Sequence, residues 1–435
     1  MELSPTSNRP QRLLLLFTTT GYQAAAFREA AEKLGVAIVA GSDRCHVLED
    51  PWRDGAIPLR FEDPERAATA IVEYAREHPL DAIIAIGDRP TLTAALACEA
   101  LEIPYHQPFA AFACHDKFEF RRLLQAAGVP APAFARIPVD AQSPSLPQGI
   151  AFPCVLKPLS LSASRGVIRA NDAEEFRAAF RRIHALLEEP EIRRMKEEEA
   201  GWILVEEYLE GSEVALEGIM DRGSLQVLAL FDKPNPLEGP YFEETIYVTP
   251  SRLPEATQVE IVQSVTQAAR AVGLSHGPIH AEIRLTPQGP RVLEIAARPI
   301  GGLCARALRF ENGWSLEELI IHHALRHTLG RHALGEPVER VQREEAASGV
   351  MMIPVPTAGV LEEVRGEAAA LAVPGIEDIR ITAKLKQKLV PWPEGASYLG
   401  FIFARGRTPG EVEAALREAH RQLEFVIMPN LPVMR

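Results

Sequence analysis

The N-terminal part of the chain alternates between short, continuous apolar runs and longer segments with helical spacing. Every residue is apolar in the runs 13–17 and 82–86, which is typical of strands buried on both faces of a parallel sheet. Apolar residues recur at helical spacing after the first run, and that segment stops at Gly35. This alternation predicts a Rossmann-like α/β unit. The first strand-to-helix turn holds a single glycine, Gly21, rather than G-x-G-x-x-G, so it does not indicate NAD binding.

Helices and strand pairs are also mixed in the middle of the chain. Apolar residues follow helical spacing in three further segments, 172–187, 255–272 and 315–329. Alternating residues at 213–220 and 225–231 predict a hairpin that turns near Gly223. From residue 346 onward, short strands alternate with turns and a helix, which predicts an α+β unit at the C-terminal end.

Two polar segments interrupt this pattern. The run EEPEIRRMKEEE at 188–199 mixes charges of both signs, so we expect either an exposed, mixed-charge face or a disordered connection there. The segment 232–254 holds too many prolines for regular structure and too many specific polar groups for a passive linker. We expect it to line a pocket. Loop residues expected to shape that pocket are Tyr241, Phe242, Glu244 and, further on, Trp314.

The most informative stretch is a predicted hairpin over 280–296. His280 and Glu282 alternate with apolar residues on its first strand, and Glu294 lies on its second. A turn centred on Gln288 would set Glu282 opposite Glu294, with Cβ atoms about 5 Å apart. Because two like charges so close destabilise a sheet, they favour a compensating cation, and paired hard oxygens suit Mg²⁺. On these residues alone, an edge hairpin with a solvated acidic face is the simpler interpretation.

The residues around Glu294 extend this hypothesis. Strict alternation places Val292 beside Glu294 on the polar face of the second strand. Arg298 follows four residues after Glu294. Gly301 and Gly302 would then let backbone approach a ligand without a Cβ in the way.

A second candidate site follows a short predicted strand that ends in Lys157. The loop SLSASRGV at 160–167 offers hydroxyl groups, among them Ser162 and Ser164, together with a cation and a glycine. Such a loop can hold phosphate oxygens through its backbone N–H groups, although an ordinary solvated loop fits these residues equally well.

Three histidines on the predicted helix 315–329 raise the question of a metal site. His323 and His327 lie one helical turn apart, beside His322. There is no H-E-x-x-H glutamate and no third ligand at a recognisable spacing, so a capping or packing role is favoured.

Composition narrows the classes of function. Of 435 residues, 47% are hydrophobic and 24% charged, and the formal net charge is −13. This profile is typical of a folded multidomain protein, and the acidity argues against nucleic-acid or anionic-membrane partners. Five scattered cysteines lack C-x-x-C spacing, which argues against a zinc or disulfide framework. The N-terminus has no basic region before an apolar core, so we expect a cytoplasmic protein.

Taken in order and spacing, the motifs resemble the ATP-grasp superfamily and, in the C-terminal part, its L-amino-acid ligase branch. The motifs that carry the resemblance are Asp116-Lys117, Val155-Leu156-Lys157, the run from Val205 to Gly211, Glu213, Glu282, Glu294 and Arg298. The implied fold combines α/β and α+β units. It has a Rossmann-like preATP-grasp domain at 1–113, an ATP-grasp core at 114–330 with a mobile lid at about 130–205, and a small α+β C-terminal domain at 331–435.

The resemblance also implies an ATP site. Lys117 and Lys157 would hold the phosphates under the loop with Ser162 and Ser164, and Glu213 would accept the ribose hydroxyls. The adenine would contact the hinge residues Glu206, Glu207, Tyr208 and Leu209.

The resemblance further implies metal, catalytic and substrate roles. Glu282 and Glu294 would ligate Mg²⁺ or Mn²⁺, as one or two ions, although Ala296 stands where many relatives have an asparagine ligand. Arg298, with Lys157, would be catalytic and would bind the transferred phosphoryl group and the acyl intermediate. Substrate contacts are expected from Glu244, His280, Gly301 and Gly302.

The implied function is an ATP-dependent carboxylate–amine ligase acting on small molecules, expected to be amino acids. It would form an amide or peptide bond through an acyl phosphate and release ADP and phosphate. A carboxylase or nucleotide-biosynthesis enzyme of the same superfamily is the alternative, against which the C-terminal resemblance weighs. A nucleotide-binding regulator without turnover is the alternative from another class, against which the intact Lys, Glu and Arg set argues. The two substrates and the oligomeric state, a homodimer included, stay open.

Overall fold

The computed structural model describes residues 9–18, 21–43, 55–326 and 341–429. Within these ranges the chain forms four sheets with helices packed against them. No helix in the described ranges combines the length and the apolar character needed to cross a membrane.

The first unit is a parallel sheet with helices on both faces. Its elements are β1 (Arg12–Phe17), α1 (Ala24–Leu34), β2 (Ala37–Ser42), β3 (Ala56–Pro58), α2 (Pro64–Glu77), β4 (Ala82–Ile86), α3 (Pro90–Ala100) and α4 (Pro108–His115). The strands lie in the order β3-β2-β1-β4. Leu13 and Leu14 of β1 are fully buried, in cores on opposite faces of the sheet. The continuous apolar run therefore encodes burial on both faces, and the predicted Rossmann-like unit is confirmed.

The second unit is the predicted lid, and it folds as a small antiparallel sheet. Its elements are α5 (Lys117–Ala126), which leads into it, β5 (Phe134–Pro138), β6 (Cys154–Pro158), β7 (Ile168–Ala170), α6 (Ala173–Leu187), α7 (Pro190–Arg193) and β8 (Trp202–Glu207). The strand order is β5-β8-β6-β7. Asp172 caps α6, because its carboxylate accepts hydrogen bonds from the backbone N–H groups of Glu174 and Glu175 at 2.8 and 2.9 Å.

The run 188–199 is ordered, so the expectation of a disordered connection is wrong, whereas most of its residues are exposed, as expected for a mixed-charge face. The run forms α7 and leads into a 3₁₀ turn at Glu198–Gly201. Ile192 is buried in the lid core with Met195 packed against it, and Glu197 lies near His115 and Arg89. Apolar packing and several ion pairs together therefore order a run that is otherwise charged.

The third unit is an eight-stranded sheet. Its elements are β9 (Ser212–Asp221), β10 (Ser224–Asp232), β11 (Ile246–Thr249), α8 (Glu255–Val272), β12 (Gly277–Thr286), β13 (Gly289–Ala296), α9 (Leu316–Leu325), β14 (Ala347–Ile353), β16 (Ile376–Ile381), β18 (Gly400–Gly406) and α11 (Pro409–Gln422). The order is β13-β12-β9-β10-β11-β14-β18-β16, so strands from the predicted core and C-terminal domains share one sheet. The predicted boundary at 330/331, His327 and the expected end of the helix at 329 all lie outside the described residues.

The C-terminal end adds a smaller layer. It consists of β15 (Gly359–Arg365), α10 (Glu367–Leu371), β17 (Lys388–Leu389) and β19 (Glu424–Met428), with strand order β17-β15-β19. The sequence suggested that the segment 232–254 is irregular, but part of it, Ile246–Thr249, forms β11. Ile246 and Val248 are buried in the core that supports the C-terminal strands, and this burial overrides the neighbouring prolines.

The hairpin of β12 and β13 has the predicted pairing with one correction. Glu282 pairs with Glu294 as expected, and β13 is the edge of the sheet. A β-bulge follows, because Ile283 pairs with Val292 and leaves Leu293 as the extra residue. Val292 therefore joins the buried core instead of the polar face, and Leu293 lines the cavity with Glu294.

Candidate active site

All sixteen residues predicted for the site line one cavity of about 310 Å³. Ligand pockets typically measure roughly 300–1,000 Å³. The lining residues come from the parallel sheet, the lid and the large sheet. The predicted residues are Lys117, Lys157, Ser162, Ser164, Glu206, Glu207, Tyr208, Leu209, Glu213, Glu244, His280, Glu282, Glu294, Arg298, Gly301 and Gly302.

Lys233 lies among three carboxylates that line this cavity, although it is buried and is not itself one of the lining residues. Its Nζ lies 2.7 Å from Glu213 Oε1 and 3.5 Å from Glu282 Oε1, and it also contacts Glu244. Burial by itself would lower the pKa of Lys233, but the three carboxylates raise it above the ordinary value. Burial and the neighbouring carboxylates, Glu244 first, raise the pKa of Glu282 well above its ordinary value. The cluster therefore holds more negative charge than Lys233 alone balances.

These carboxylates fit a divalent cation. Glu213, Glu244 and Glu282 present ligand oxygens within 4.8 Å of one another, and Glu294 faces Glu282 across the hairpin. Such oxygen-only donors are what Mg²⁺ and Mn²⁺ prefer.

Glu213 is held more tightly than the sequence indicated. Besides its contact with Lys233, its Oε2 lies 3.1 Å from the NH2 atom of Arg284. Arg284 is buried and also donates to the backbone oxygens of Gly211 and Leu237. A ligand hydroxyl that binds Glu213 would therefore share a carboxylate oxygen with Lys233 or with Arg284.

Lys157 belongs to a buried network of three charges. Its Nζ contacts Glu206, whose Oε1 accepts a 2.6 Å hydrogen bond from Arg121 Nε. Arg121 also donates to the backbone oxygen of Leu293, at 2.7 Å, which joins this network to the β12–β13 hairpin. Burial by itself would raise the pKa of Glu206, but Arg121 and Lys157 hold it at about 2. Glu206 is therefore ionised and positions the lysine.

Arg298 is ion-paired to the parallel sheet. Its Nε donates to Asp88 Oδ1 at 2.8 Å and its NH2 to Oδ2 at 3.1 Å. Burial would raise the pKa of Asp88, but Arg298 keeps it below the ordinary value. Gln23 of the same unit donates to the backbone oxygen of Ile300, so two contacts fix the segment that holds Arg298.

His280 and Glu217 form a buried pair beside Arg298. His280 Nδ1 lies 3.0 Å from Glu217 Oε2, and the backbone N–H of Ile300 donates to both Glu217 oxygens at 3.1 and 3.2 Å. Burial lowers the pKa of His280 to about 3, with Arg298 and Lys233 adding to the effect. His280 is therefore a neutral imidazole at physiological pH.

Part of the cavity wall is apolar. Val155 and Phe242 line the cavity and form a buried cluster with Leu237, and Tyr208, which also lines the cavity, packs against it. The guanidinium of Arg169 lies 4.1 Å from the centre of the Tyr208 ring. This apolar slot, next to the predicted hinge, suits a purine ring.

The serine loop 160–167 is fastened to the C-terminal part of the chain. Trp392 Nε1 donates to the backbone oxygen of Ala163 at 2.8 Å, and Gly166 N donates to that of Pro393 at 2.7 Å. Arg165 Nε donates to the backbone oxygen of Glu394 at 2.8 Å. On the other side, Lys117 Nζ donates to the backbone oxygen of Leu161 at 2.7 Å. The loop is thus held in place by contacts on both sides.

Several cavity residues were not predicted, and two expected ones lie elsewhere. Trp314 packs against His322, and Tyr241 contacts Arg182 outside the cavity. Asp88 could have been found, because it directly follows a buried parallel strand, where α/β sheets bind ligands. Arg284 could have been found as well, because it alternates with His280 and Glu282 on the polar face of the predicted strand. Among the residues not predicted are Asp88, Tyr247, Arg284 and Tyr398 in the cavity wall, and Arg121, Glu217 and Lys233, which contact residues of the wall.

The sequence matches three family models along its length. Residues 28–105 match an ATP-grasp N-terminal domain, residues 150–307 an ATP-grasp domain, and residues 351–428 an L-amino acid ligase C-terminal domain 2.

Individual ligases are similar to this chain in sequence and in structure. Alanine–anticapsin ligase of Bacillus subtilis is 30% identical over 287 residues, which cover 62% of this chain and 60% of that ligase. D-alanine–D-alanine ligase of Cupriavidus metallidurans is 25% identical over 249 residues, covering 54% of this chain and 71% of that enzyme. Among solved structures, the L-amino acid ligase from Bacillus licheniformis superposes with a TM-score of 0.80 and 27% identity, over 97% of this chain and all of that one. The chain thus spans well under two thirds of the length of alanine–anticapsin ligase.

Proposed function

The chain belongs to the ATP-grasp superfamily, in its L-amino-acid-ligase-like branch, and from this premise we propose that it is an ATP-dependent carboxylate–amine ligase. It would join two amino acids, or an amino acid and a related amine, and release ADP and phosphate. The observation that carries the proposal is the meeting, in one cavity, of Lys157 under the serine loop, the opposed pair Glu282 and Glu294, and Arg298.

The nucleotide is proposed to span the lid side of the cavity. Its adenine would lie in the slot of Val155 and Phe242, next to the hinge at Tyr208. Its phosphates would meet Lys117, Lys157 and the backbone N–H groups of the serine loop. Lysines act here as point charges on phosphate, and a preorganised cation costs no rearrangement when the ligand binds.

Glu282 and Glu294 are proposed to hold Mg²⁺ or Mn²⁺, with Glu213 and Glu244 as further oxygen donors in reach. When bound, the ion supplies positive charge to the phosphates during transfer. Because Ala296 offers no ligand, Glu244 is the residue of this chain best placed to complete the set. Lys233 lies at 3.5 Å from Glu282 and would have to yield part of that contact. The number of ions, one or two, is part of the proposal.

The chemistry proceeds in two steps. An oxygen of the carboxylate substrate attacks the γ-phosphorus of ATP, the bond to the β-phosphate oxygen breaks, and ADP leaves. The amine of the second substrate then attacks the acyl carbon, the bond to the phosphate oxygen breaks, and phosphate leaves as the amine loses its proton. Arg298 is proposed to lie beside the transferred phosphoryl group, because its charge is fixed by Asp88 before any ligand arrives.

Water must be kept from the acyl phosphate, which would otherwise hydrolyse. The contacts of Trp392, Pro393 and Glu394 with the serine loop are proposed to hold the lid closed during the reaction. The C-terminal part would then serve the chemistry directly, which agrees with its match to an L-amino acid ligase domain.

The alternatives have less support. A carboxylase or a nucleotide-biosynthesis enzyme would share the ATP-grasp core but not the matched C-terminal domain. A regulator without turnover would not need the placed set of Lys157, Arg298 and opposed carboxylates.

A pairwise amino-acid screen tests the proposal. The protein is incubated with Mg²⁺–ATP and pairs of the standard amino acids, ADP release is measured, and condensed products are identified by mass spectrometry. We expect at least one pair to give ADP and a product one water lighter than the sum of the two. Purified protein that binds ATP but releases no ADP with any pair would favour the regulator.

A further inference from the structure

Three side chains with metal-ligand chemistry meet at a place unrelated to the proposed active site. Asp221 ends β9, His276 directly precedes β12, and His323 lies in the last turn of α9. None of the three is among the residues that line the cavity. The sequence raised His323 as a metal ligand only together with His322 and His327, and favoured a capping or packing role. Its partners in this cluster, Asp221 and His276, were not predicted, because they are far from His323 along the chain.

The spacing of the ligand atoms matches a metal site. Asp221 Oδ1 lies 3.4 Å from His276 Nδ1 and 3.6 Å from His323 Nε2, and all three atoms lie within 4.8 Å of one another. A tetrahedral ion with bonds of about 2.0 Å separates neighbouring ligand atoms by roughly 3.3 Å. If the side chains moved by a few tenths of an ångström, both distances from Asp221 Oδ1 to the histidine nitrogens would match those around a tetrahedral ion.

The surroundings of His323 also suit a ligand. Its side chain is 3% exposed, and its Nε2 lies beyond hydrogen-bonding distance of Asp221, with no hydrogen-bond partner among the described residues. This buried ring nitrogen is one of the three atoms of the cluster, so a bound ion would satisfy it.

Arg326 supplies an outer contact to the same cluster. Its NH1 lies 3.6 Å from Asp221 Oδ2, the oxygen that does not face the histidines. Groups that hold the second oxygen of a ligating carboxylate orient the first, so Arg326 leaves Oδ1 directed at the histidines.

We propose that Asp221, His276 and His323 bind a transition-metal ion of the Zn²⁺ class. Two imidazoles and one carboxylate suit Zn²⁺ and its neighbours in the transition series, and do not suit Mg²⁺. The ion ties α9 to the turn between β9 and β10 and to the start of β12. Since α9 also packs on α1 and β4 of the parallel sheet, the ion stabilises the packing between the first unit and the large sheet.

Cobalt substitution tests the proposal directly. Metal-free protein is titrated with Co²⁺ in the presence of excess Mg²⁺, which occupies the carboxylate cluster of the active site. We expect a visible ligand-field absorption that saturates at one Co²⁺ per chain and is lost when Zn²⁺, which binds such sites more tightly, is added. We also expect the melting temperature to rise with Zn²⁺, because the ion binds only the folded state.

The variants His323→Ala and Asp221→Asn should weaken Co²⁺ binding by more than about 10- to 100-fold, the loss that outer contacts alone can cause. His184→Ala, which removes an exposed histidine of the lid, is the matched control and should bind Co²⁺ as the wild type does. ATP-site function, measured as Mg²⁺–ATP binding, reports that each variant is folded. A wild type without the absorption band would overturn the proposal, as would a band that survives in both folded variants.

Discussion

Asp88 and Arg298 form a two-point ion pair, with distances of 2.8 and 3.1 Å, between the end of a parallel strand and the segment that follows the carboxylate hairpin. Both side chains line the cavity, so the pair joins two units of the fold at the proposed reaction centre. Burial raises and Arg298 lowers the pKa of Asp88, with the net shift downward, so the aspartate stays charged and fixes the guanidinium.

Asp88→Asn should therefore reduce turnover more than nucleotide binding. Asparagine keeps the shape of the side chain but removes the charge that orients Arg298, and misplacing a reactive group by about 1 Å can cost roughly 100-fold. We expect turnover to fall by about 10- to 100-fold while Mg²⁺–ATP affinity stays within about twofold. Asp81→Asn, which loosens the partly exposed pair of Asp81 with Arg9, is the control. Similar kinetics in the two variants would argue against a positioning role for Asp88.

Glu294→Gln and Arg298→Ala should separate metal binding from phosphoryl chemistry. Glu294→Gln removes one charge from an opposed carboxylate pair, so the ligand-free protein should be slightly more stable and Mg²⁺–ATP affinity should fall. Arg298→Ala should leave that affinity nearly unchanged and reduce turnover by about 100-fold or more. Calorimetric titration with Mg²⁺–ATP, run beside turnover assays, measures both. Equal loss of affinity in both variants would place Arg298 in the nucleotide site.

Lys157→Met should weaken ATP binding and also destabilise the fold. The lysine balances Glu206, which is buried and keeps a pKa of about 2 only because two cations surround it. Removing one cation leaves a partly compensated buried charge, so we expect a loss of about 1–3 kcal/mol in the free energy of unfolding.

A second substitution tells the two effects of Lys157→Met apart. In the double variant Lys157→Met/Glu206→Gln, stability should recover because no buried carboxylate is left underpaired, while ATP affinity should stay low. Recovery of ATP binding in the double variant would mean that Lys157 only neutralises Glu206.

Trp392→Phe should loosen the serine loop while keeping the apolar contacts of the aromatic ring at position 392. Phenylalanine keeps a ring but loses the N–H that donates to Ala163 at 2.8 Å. Hydrogen exchange at 160–167 should become faster, and ADP release without amine should increase relative to product formation, because the acyl phosphate would be exposed to water. Trp202→Phe provides the comparison, because Trp202 begins β8 and its ring contacts Arg136 instead of the serine loop. Unchanged exchange and unchanged coupling in Trp392→Phe would remove the loop contacts from the mechanism.

The pair of His115 and Glu197 predicts a pH dependence of stability. Burial alone would lower the pKa of His115, but Glu197 raises it above 6.5. The stability that His115 contributes to the fold is therefore complete below pH 6.5 and is lost as the pH rises through the raised pKa. Burial alone would raise the pKa of Glu197, but His115 lowers it below 4.5. The stability that Glu197 contributes is therefore present above pH 4.5. His115→Gln should therefore cost most stability between pH 4.5 and 6.5, and less once the pH has risen through the raised pKa of His115. Thermal unfolding of both proteins across this range measures the difference, and a constant difference would exclude the pair.

The sequence predicted those parts of the fold that repeat a local pattern. The apolar run at Leu13 predicts a strand that is buried on both faces. Gly35 and Gly273 end their helices in the left-handed conformation. The alternation around Glu282 predicts its pairing with Glu294 correctly. The bulge at Leu293 was not predictable, because strict alternation contains no sign of an extra residue. It moved Val292 to the core.

The site was predicted residue by residue but not as a network. Motif residues such as Lys157 and Arg298 are found because their family pattern is local in sequence. Their partners are not local: Glu206 is held by Arg121, 85 residues away, and Arg298 by Asp88, 210 residues away. Of these partners only Glu206 had been singled out, for another role. Lys233 was missed for a related reason, since its burial depends on three carboxylates that surround it only in the folded chain.

Transfer of a carboxylate oxygen to phosphate is the most direct measure of the central claim. The amino-acid pair found in the screen is used with ¹⁸O in the carboxyl group of the acyl donor, and the products are analysed by mass spectrometry. An acyl phosphate requires that one ¹⁸O per turnover appears in inorganic phosphate and none in ADP, because the substrate oxygen that attacks the γ-phosphorus leaves with it. Label in AMP, with release of pyrophosphate, or phosphate without label beside a labelled product, would contradict the account.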